Sequence, residues 1–168
     1  MFKNLIKQNQ LAFIILTILF LIDRSSKFFI LKLVEQGEKL DIYITSYLNL
    51  YLIWNKGIAF GLLSFNENII YNTITVLILI IIFTILIMVI KSKGFVKYSL
   101  VVVLAGALGN VFDRIYYSAV PDFIDFHINE FHWFIFNIAD IFVTIGVFCL
   151  IYVELFINKE IKNNEKNY

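Results

Sequence analysis

Proline occurs once in this chain, at Pro121, cysteine once, at Cys149, and histidine twice, at His127 and His132. A single cysteine excludes an intrachain disulfide and any cysteine-rich metal site. Two histidines confined to one short stretch leave no credible Ser/His/Asp or Cys/His arrangement. They also lack the H-E-x-x-H spacing of a zinc peptidase. His127 with Asp125 is the one ligand pair on offer, and without that spacing the expectation is no metal and no cofactor. Charge is equally scarce. Charged residues make up 16% of the chain, against roughly 25% in soluble domains. Fourteen basic residues against thirteen acidic ones give net +1, so no overall field exists to recruit nucleic acid.

What is abundant is hydrocarbon: 60% of the 168 residues are hydrophobic. A chain this short cannot bury that much apolar surface inside itself, so the excess faces lipid and the length suits one domain. Four segments are apolar enough to span a hydrocarbon core that needs about 20 helical residues. They run from Leu11 to Leu33, Ile69 to Ile90, Tyr98 to Arg114 and Phe134 to Ile157. Lys3 and Lys7 before the first run resemble the start of a signal peptide, but no small-x-small cleavage site follows, so a retained first helix is expected.

Orientation follows from lysine placement. Lys3 and Lys7, then Lys91, Lys93 and Lys97, then Lys159, Lys162 and Lys166 fall on one side if the chain crosses four times, which makes that side and both termini cytoplasmic. The segments from Val34 to Asn68 and from Ile115 to Trp133 then face outward, with Trp54, Tyr116, Tyr117 and Trp133 at the level of an aromatic belt. From Tyr47 to Trp54 the residues are aromatic and half alternating, which fits a small interfacial sheet or an amphipathic connector. Pro121 makes a long continuous helix in the second outer segment improbable. The polar tail after Asn158 is expected to fray in water.

Helix rise locates the acids. Asp23 lies 16 residues beyond Lys7, Asp113 lies 16 beyond Lys97, and Asp140 lies 19 before Lys159. All three are therefore roughly 24 to 29 Å from cytoplasmic lysines, in the outer part of the bilayer. Asp122 and Asp125 reach that level from the outer segment. Asn110 precedes Asp113 by three residues and Asn137 precedes Asp140 by three, a spacing that puts amide and carboxylate on one helical face. Such pairs either glue or cap helices or orient acids for chemistry. Two carboxylates held together share a proton near neutrality. The ionised one can then take a proton from water while its neutral partner polarises a peptide carbonyl. The same acids suit a proton relay or transporter, though a relay needs polar residues across the bilayer and Ile69 to Ile90 offers few. A non-enzymatic scaffold is the third class.

The motifs occur in an order that resembles the lipoprotein signal peptidase family, signal peptidase II. Asp23-Arg24-Ser25-Ser26-Lys27 is similar to D-x-x-S/T-K, and Asn55-Lys56-Gly57-Ile58-Ala59-Phe60-Gly61 to N-x-G-x-A-F/W-G. Ala105 to Arg114 is similar to G-A-x-G-N-x-x-D-R, Val120-Pro121-Asp122-Phe123 to V-x-D-F, and Phe136-Asn137-Ile138-Ala139-Asp140 to F-N-x-A-D. The resemblance implies a catalytic dyad at Asp122 and Asp140. It makes Asp23, Lys27, Asn55, Gly57, Asn110, Asp113, Arg114 and Asn137 supporting or substrate-binding positions, and it demotes Asp125. Ser118 stands where the family usually has glycine, and Ile141 where a small residue often follows the second aspartate, which affects local geometry and not the dyad. Arg24 and Lys27 otherwise suit snorkelling to headgroups, Arg114 an ion pair with Asp113, Gly106 and Gly109 close helix packing, and Lys56 and Glu67 solvation.

The implied fold is all-α and membrane-embedded: four transmembrane helices with an extracytoplasmic β-cradle over about 38–62 and a second outer loop over about 115–133. Residues 1–158 form one peptidase domain and 159–168 a cytoplasmic tail. The implied activity is an intramembrane aspartic endopeptidase of the bacterial inner membrane. It removes the signal peptide from diacylglyceryl-prolipoproteins by cutting before the lipid-modified cysteine, with its site toward the outer leaflet. Expected partners are those prolipoproteins and membrane lipid, with no nucleic acid, and the chain is expected to act as a monomer.

Overall fold

The computed structural model describes residues 2–35, 40–57, 68–129 and 131–157. Among them are α1 (Phe2–Glu35), β1 (Asp41–Thr45), β2 (Leu48–Asn55), α2 (Asn68–Lys91), α3 (Gly94–Tyr117), β3 (Val120–Ile128), β4 (Phe131–Phe136) and α4 (Ile138–Tyr152), which runs into a π turn at Val153–Ile157.

Three described helical stretches are long and apolar enough to cross a membrane: Tyr71–Lys91, Gly94–Tyr117 and Ile138–Ile157. They are not equivalent. In α3, 56% of the apolar span is buried, against 17% in each of the other two. α3 is therefore the inner helix, and α2 and α4 turn most of their apolar surface outward, as helices do when lipid is the solvent. Leu100, Val101, Leu104 and Val111 of α3 form a core with Ala12 of α1 and Ile82 and Val89 of α2.

Close approach is built from glycine. A Cβ at Gly106 would meet the Ala139 carbonyl of α4, and one at Gly146 would lie 2.9 Å from Val103 N of α3. These contacts set α3 and α4 antiparallel. At the other flank Lys97 donates to Asn9, and Arg24 of α1 donates to Gly109 O at 3.0 Å, so α1 runs parallel to α3.

The segments between α1 and α2 and between α3 and α4 join into one antiparallel sheet of order β1-β2-β3-β4. The strand at Tyr47 to Trp54 is present, as β2, paired with β3 from Leu48↔Phe126 to Asn55↔Val120. The expected loop over about 115–133 is not a loop. α3 extends to Tyr117, and the chain then forms a hairpin whose second strand takes Phe134 to Phe136 from the expected fourth helix. The reason lies in alternation: Phe123, Asp125 and His127 are buried while Phe126 and Ile128 are exposed, the period-2 pattern of a strand with one face packed. Pro121 is accommodated because β4 pairs with β3 only from Ile124 onward, so at Pro121 the strand has a neighbour on one side alone. Phe123 packs with Ile30 of α1 and Leu40, which seats the sheet on the helix ends.

Candidate active site

Residue by residue, the site starts at the turn between α3 and β3. Ser118 ends α3 in the left-handed conformation, φ 56° and ψ 21°, and its N–H donates to Arg114 O. Two residues later β3 begins and carries Asp122 beneath α3, 1% exposed. Asp140 arrives from the opposite direction, in the first turn of α4.

Three asparagines hold these two acids. Asn55 Nδ2 donates to Asp122 Oδ2 at 2.8 Å, and Asn137 Nδ2 to Asp122 Oδ1 at 2.6 Å. Asn110 Nδ2 donates to Asp140 Oδ1 at 2.8 Å, and the Asn137 backbone N–H to Asp140 Oδ2 at 3.2 Å. The orientation of each amide follows from its other end. Asn55 Oδ1 accepts from Gly57 N, Asn110 Oδ1 from Lys27 Nζ, and Asn137 Oδ1 from Asp140 N. Each of those partners can only donate, so each NH2 group must point at an aspartate.

The helical-face reading of the two Asn/Asp pairs needs correction. Asn137 is the N-cap of α4 and forms a capping box with Asp140. Asn110 reaches across to Asp140 and not to Asp113. Asp113 instead joins a buried charge lattice with Asp23. Lys27 Nζ bonds Asp113 Oδ2 at 2.7 Å and Asp23 Oδ1 at 2.9 Å. Arg24 bonds Asp113 Oδ1 at 2.5 Å and Asp23 Oδ2 at 2.5 Å. Asp23 Oδ1 also accepts from Ala139 N at 3.1 Å, which satisfies a donor that the first turn of α4 itself cannot.

The snorkelling reading of Arg24 and Lys27 is therefore overturned. Lys27 is 1% exposed, and two cations, Lys27 and the half-buried Arg24, neutralise two anions, which is what permits Asp23 and Asp113 to be buried together. The expected Asp113–Arg114 ion pair is also absent among the described residues. Arg114 turns the other way, its guanidinium 5.4 Å from the Tyr71 ring centroid and its buried Nη1 without a hydrogen-bond partner. The sequence does carry a signal for the lattice: an acid with bases one and four residues on, inside an apolar helix, is costly unless paired.

Asn55, Asn110, Arg114, Asp122 and Asp140 line one open cleft of about 180 Å³, walled by Ile78, Ala107, Val120 and Val143. Asn137, Asp23, Lys27 and Asp113 lie behind it as supports. Asp125 is elsewhere, bonded to His132. Ile58 to Gly61 and Glu67 fall outside the described residues, while Lys56 is exposed as expected.

Asp122 is pushed up to about 6 by burial first and by the charge of Asp140 second, opposed by the amides of Asn137 and Asn55. A carboxyl so poised exchanges its proton near neutrality. The arrangement has the makings of acid–base chemistry on a bond lying in the cleft.

Comparison with known proteins identifies the family. The model of the family described as Signal peptidase (SPase) II matches residues 15–156. The chain is 55% identical over 162 residues to a lipoprotein signal peptidase of Pelagibacter ubique (strain HTCC1062), covering 96% of this chain and 97% of that one. It is 39% identical over 151 residues to one of Anaplasma phagocytophilum (strain HZ), covering 89% and 94%. Two solved structures, described as bacterial membrane enzymes determined by the in meso method at 2.3 Å and 1.9 Å, superpose with TM-scores of 0.68 and 0.70. Their identities are 29% and 28%, and they cover 89% and 88% of this chain and 90% and 94% of their own. With its family model spanning most of its length and a relative at 55% identity over nearly the whole chain, this chain belongs to the signal peptidase II family of proteases.

Proposed function

We propose that the cleft is the catalytic site of an aspartic endopeptidase that removes signal peptides from prolipoproteins. Asp122 and Asp140 are its dyad. The observation that carries the reading is that carboxyls from a strand and a helix line one cleft, each gripped by two N–H donors of fixed orientation.

One aspartate, ionised, takes a proton from the attacking water. The other, protonated, donates a hydrogen bond to the scissile carbonyl and stabilises the tetrahedral oxyanion that forms there. When the C–N bond breaks, the leaving amine takes a proton from the dyad, which returns to its one-proton state. Arg114 lines the same cleft with a partnerless Nη1, and this supports a role in holding a substrate backbone carbonyl. Asn55, Asn110 and Asn137 position the acids, and Gly57 fixes Asn55. Asp23, Arg24, Lys27 and Asp113 form the support that keeps the start of α4 in register with α1 and α3.

The substrate is a prolipoprotein whose cysteine already carries diacylglycerol, cut immediately before that cysteine. α1 is the first of four crossings, both termini are cytoplasmic, and the dyad sits toward the outer leaflet of the bacterial inner membrane, where a lipid-linked bond is found. The chain acts as a monomer, and residues 1–158 form one domain. The test is cleavage of a purified diacylglyceryl-prolipoprotein by the purified protein in lipid. Release of the signal peptide from the lipidated substrate, and not from its unlipidated form, is the expected result. Absence of cleavage under conditions in which a known homologue works would remove the reading.

A further inference from the structure

On the face of the sheet that carries Phe123, a second polar cluster lies outside the cleft. Asp125 and His127 alternate along β3 and are 3% and 8% exposed. His132, on β4, is the register partner of His127. One ligand atom from each of the three lies within 4.8 Å of the others. Asp125 Oδ2 is 2.8 Å from His132 Nδ1 and 3.8 Å from His127 Nδ1, and the two imidazoles stack with centroids 5.1 Å apart.

The protein's own hydrogen bonds leave this corner incomplete. The Asp125 carboxylate serves His132 with both oxygens, but His127 Nδ1 is buried with no hydrogen-bond partner. Asn49, which β2 places opposite Asp125, has a buried Oδ1 in the same state. Among the described residues only three buried side-chain atoms lack partners, and two of them are here. An imidazole nitrogen and an amide oxygen can each offer a lone pair to a cation, and neither has a hydrogen-bond partner here.

We propose that Asp125, His127 and His132 bind a divalent transition-metal ion of the zinc type, clipping β3 to β4. Two imidazoles and one carboxylate make the mixed nitrogen and oxygen set that zinc takes at about 2.0 to 2.2 Å from each ligand. In a tetrahedral site such bonds set ligand atoms roughly 3.3 to 3.5 Å apart, and the observed 2.8 and 3.8 Å bracket that separation. Two imidazole ligands disfavour magnesium and calcium, which prefer oxygen. Water or Asn49 Oδ1 completes the coordination. The metal has no part in peptide hydrolysis. It fixes the hairpin whose first strand carries Asp122 three residues before Asp125, and the proposal stands whichever acids prove catalytic.

The experiment titrates Zn2+ into the purified full chain in detergent against a chromophoric chelator, with unfolding midpoints recorded in parallel. The expected result is one Zn2+ per chain and a raised midpoint, with no effect of Mg2+ at the same concentration. His132→Ala alters an exposed side chain and should still fold. It should weaken Zn2+ binding at least about tenfold and abolish the midpoint shift, as should His127→Gln. Cys149→Ser should bind as the parent does. Co2+ supplies a readout that needs no variant: a visible absorption band that one equivalent of Zn2+ removes. No saturable Zn2+ binding by the parent chain, or undiminished binding by both histidine variants, would overturn the proposal.

Discussion

Asn137 is the residue through which the two candidate acids communicate. Its side chain donates to Asp122 and its backbone to Asp140, and its own oxygen is held by Asp140 N. Replacing it by alanine removes the 2.6 Å bond to Asp122 and the α4 cap together, so Asn137→Ala should lower turnover and cost about 1 kcal/mol of stability. Asp122→Asn or Asp140→Asn should abolish cleavage while the protein still inserts, since an amide keeps the size but cannot pass the proton. Asp125→Asn should be mild. Turnover at matched folded concentration checks all four, and retained activity in either dyad variant would mean the acids are wrongly chosen. Asp122 also carries a stability signature. Because its pKa is pushed from 3.8 to about 6, the fold binds its proton more tightly than the unfolded chain does. Its protonated form therefore favours the fold fully below pH 4, and that advantage is lost as pH rises through about 6, by at most about 3 kcal/mol. Unfolding midpoints of the parent should fall over that window, and those of Asp122→Asn should fall less. Equal slopes would show that Asp122 is not perturbed.

At the scale of elements, the α3–β3 connection carries Ser118 where the resemblance to signal peptidase II leads one to expect glycine. Ser118 nonetheless adopts φ 56°, a conformation that costs an ordinary L-residue roughly 1 to 2 kcal/mol and glycine little. Ser118→Gly should therefore raise the unfolding midpoint, by up to about 1 kcal/mol once glycine's greater unfolded-state freedom is offset, and leave cleavage unchanged. A lowered midpoint would mean that the serine hydroxyl contributes something geometry does not reveal. Gly109 makes the opposite case. A Cβ there would stand 2.5 Å from Asp23 Oδ2, so Gly109→Ala should displace the carboxylate that binds Lys27, Arg24 and Ala139 N, with an overpacking penalty of roughly 1 to 3 kcal/mol. These two positions mark how far the sequence could be read. The helices were legible because unbroken apolar runs have few other solutions, and the motif residues of the cleft were legible because their order is specific. The second hairpin was not, because alternation in Val-Pro-Asp-Phe-Ile-Asp-Phe-His-Ile is interrupted by buried Asp122 at its start. The charge lattice was not, because pairing between Arg24 and Asp113, 89 residues apart, is a product of helix packing that local pattern does not encode.

For the molecule as a whole, the polar residues divide into two levels. Near one end, Lys97 is buried against Asn9 and Lys93 is exposed between α2 and α3. Near the other lie the lattice, the cleft and the sheet. Between them the walls are apolar, with Leu86, Val89, Val101 and Leu104 around a groove that contains Asn9 at its edge. Beside the lattice a run of ring contacts joins Trp54 to Tyr117, Tyr117 to Tyr116, Tyr116 to Phe112 and Phe112 to Phe20. Trp54, Tyr116 and Tyr117 are exposed, the disposition of aromatic side chains at a headgroup boundary. This supports the proposed insertion, in which the lattice side is outward and the Lys93 side cytoplasmic. The prediction is that a cysteine at position 93, in a Cys149→Ser background, is labelled by a membrane-impermeant maleimide only after the inner membrane is opened. A cysteine at Lys56, exposed beside the cleft's Asn55, should be labelled from outside in intact spheroplasts. Outside labelling at 93 would reverse the topology, and with it the placement of the dyad in the leaflet where a newly exported, lipidated cysteine resides.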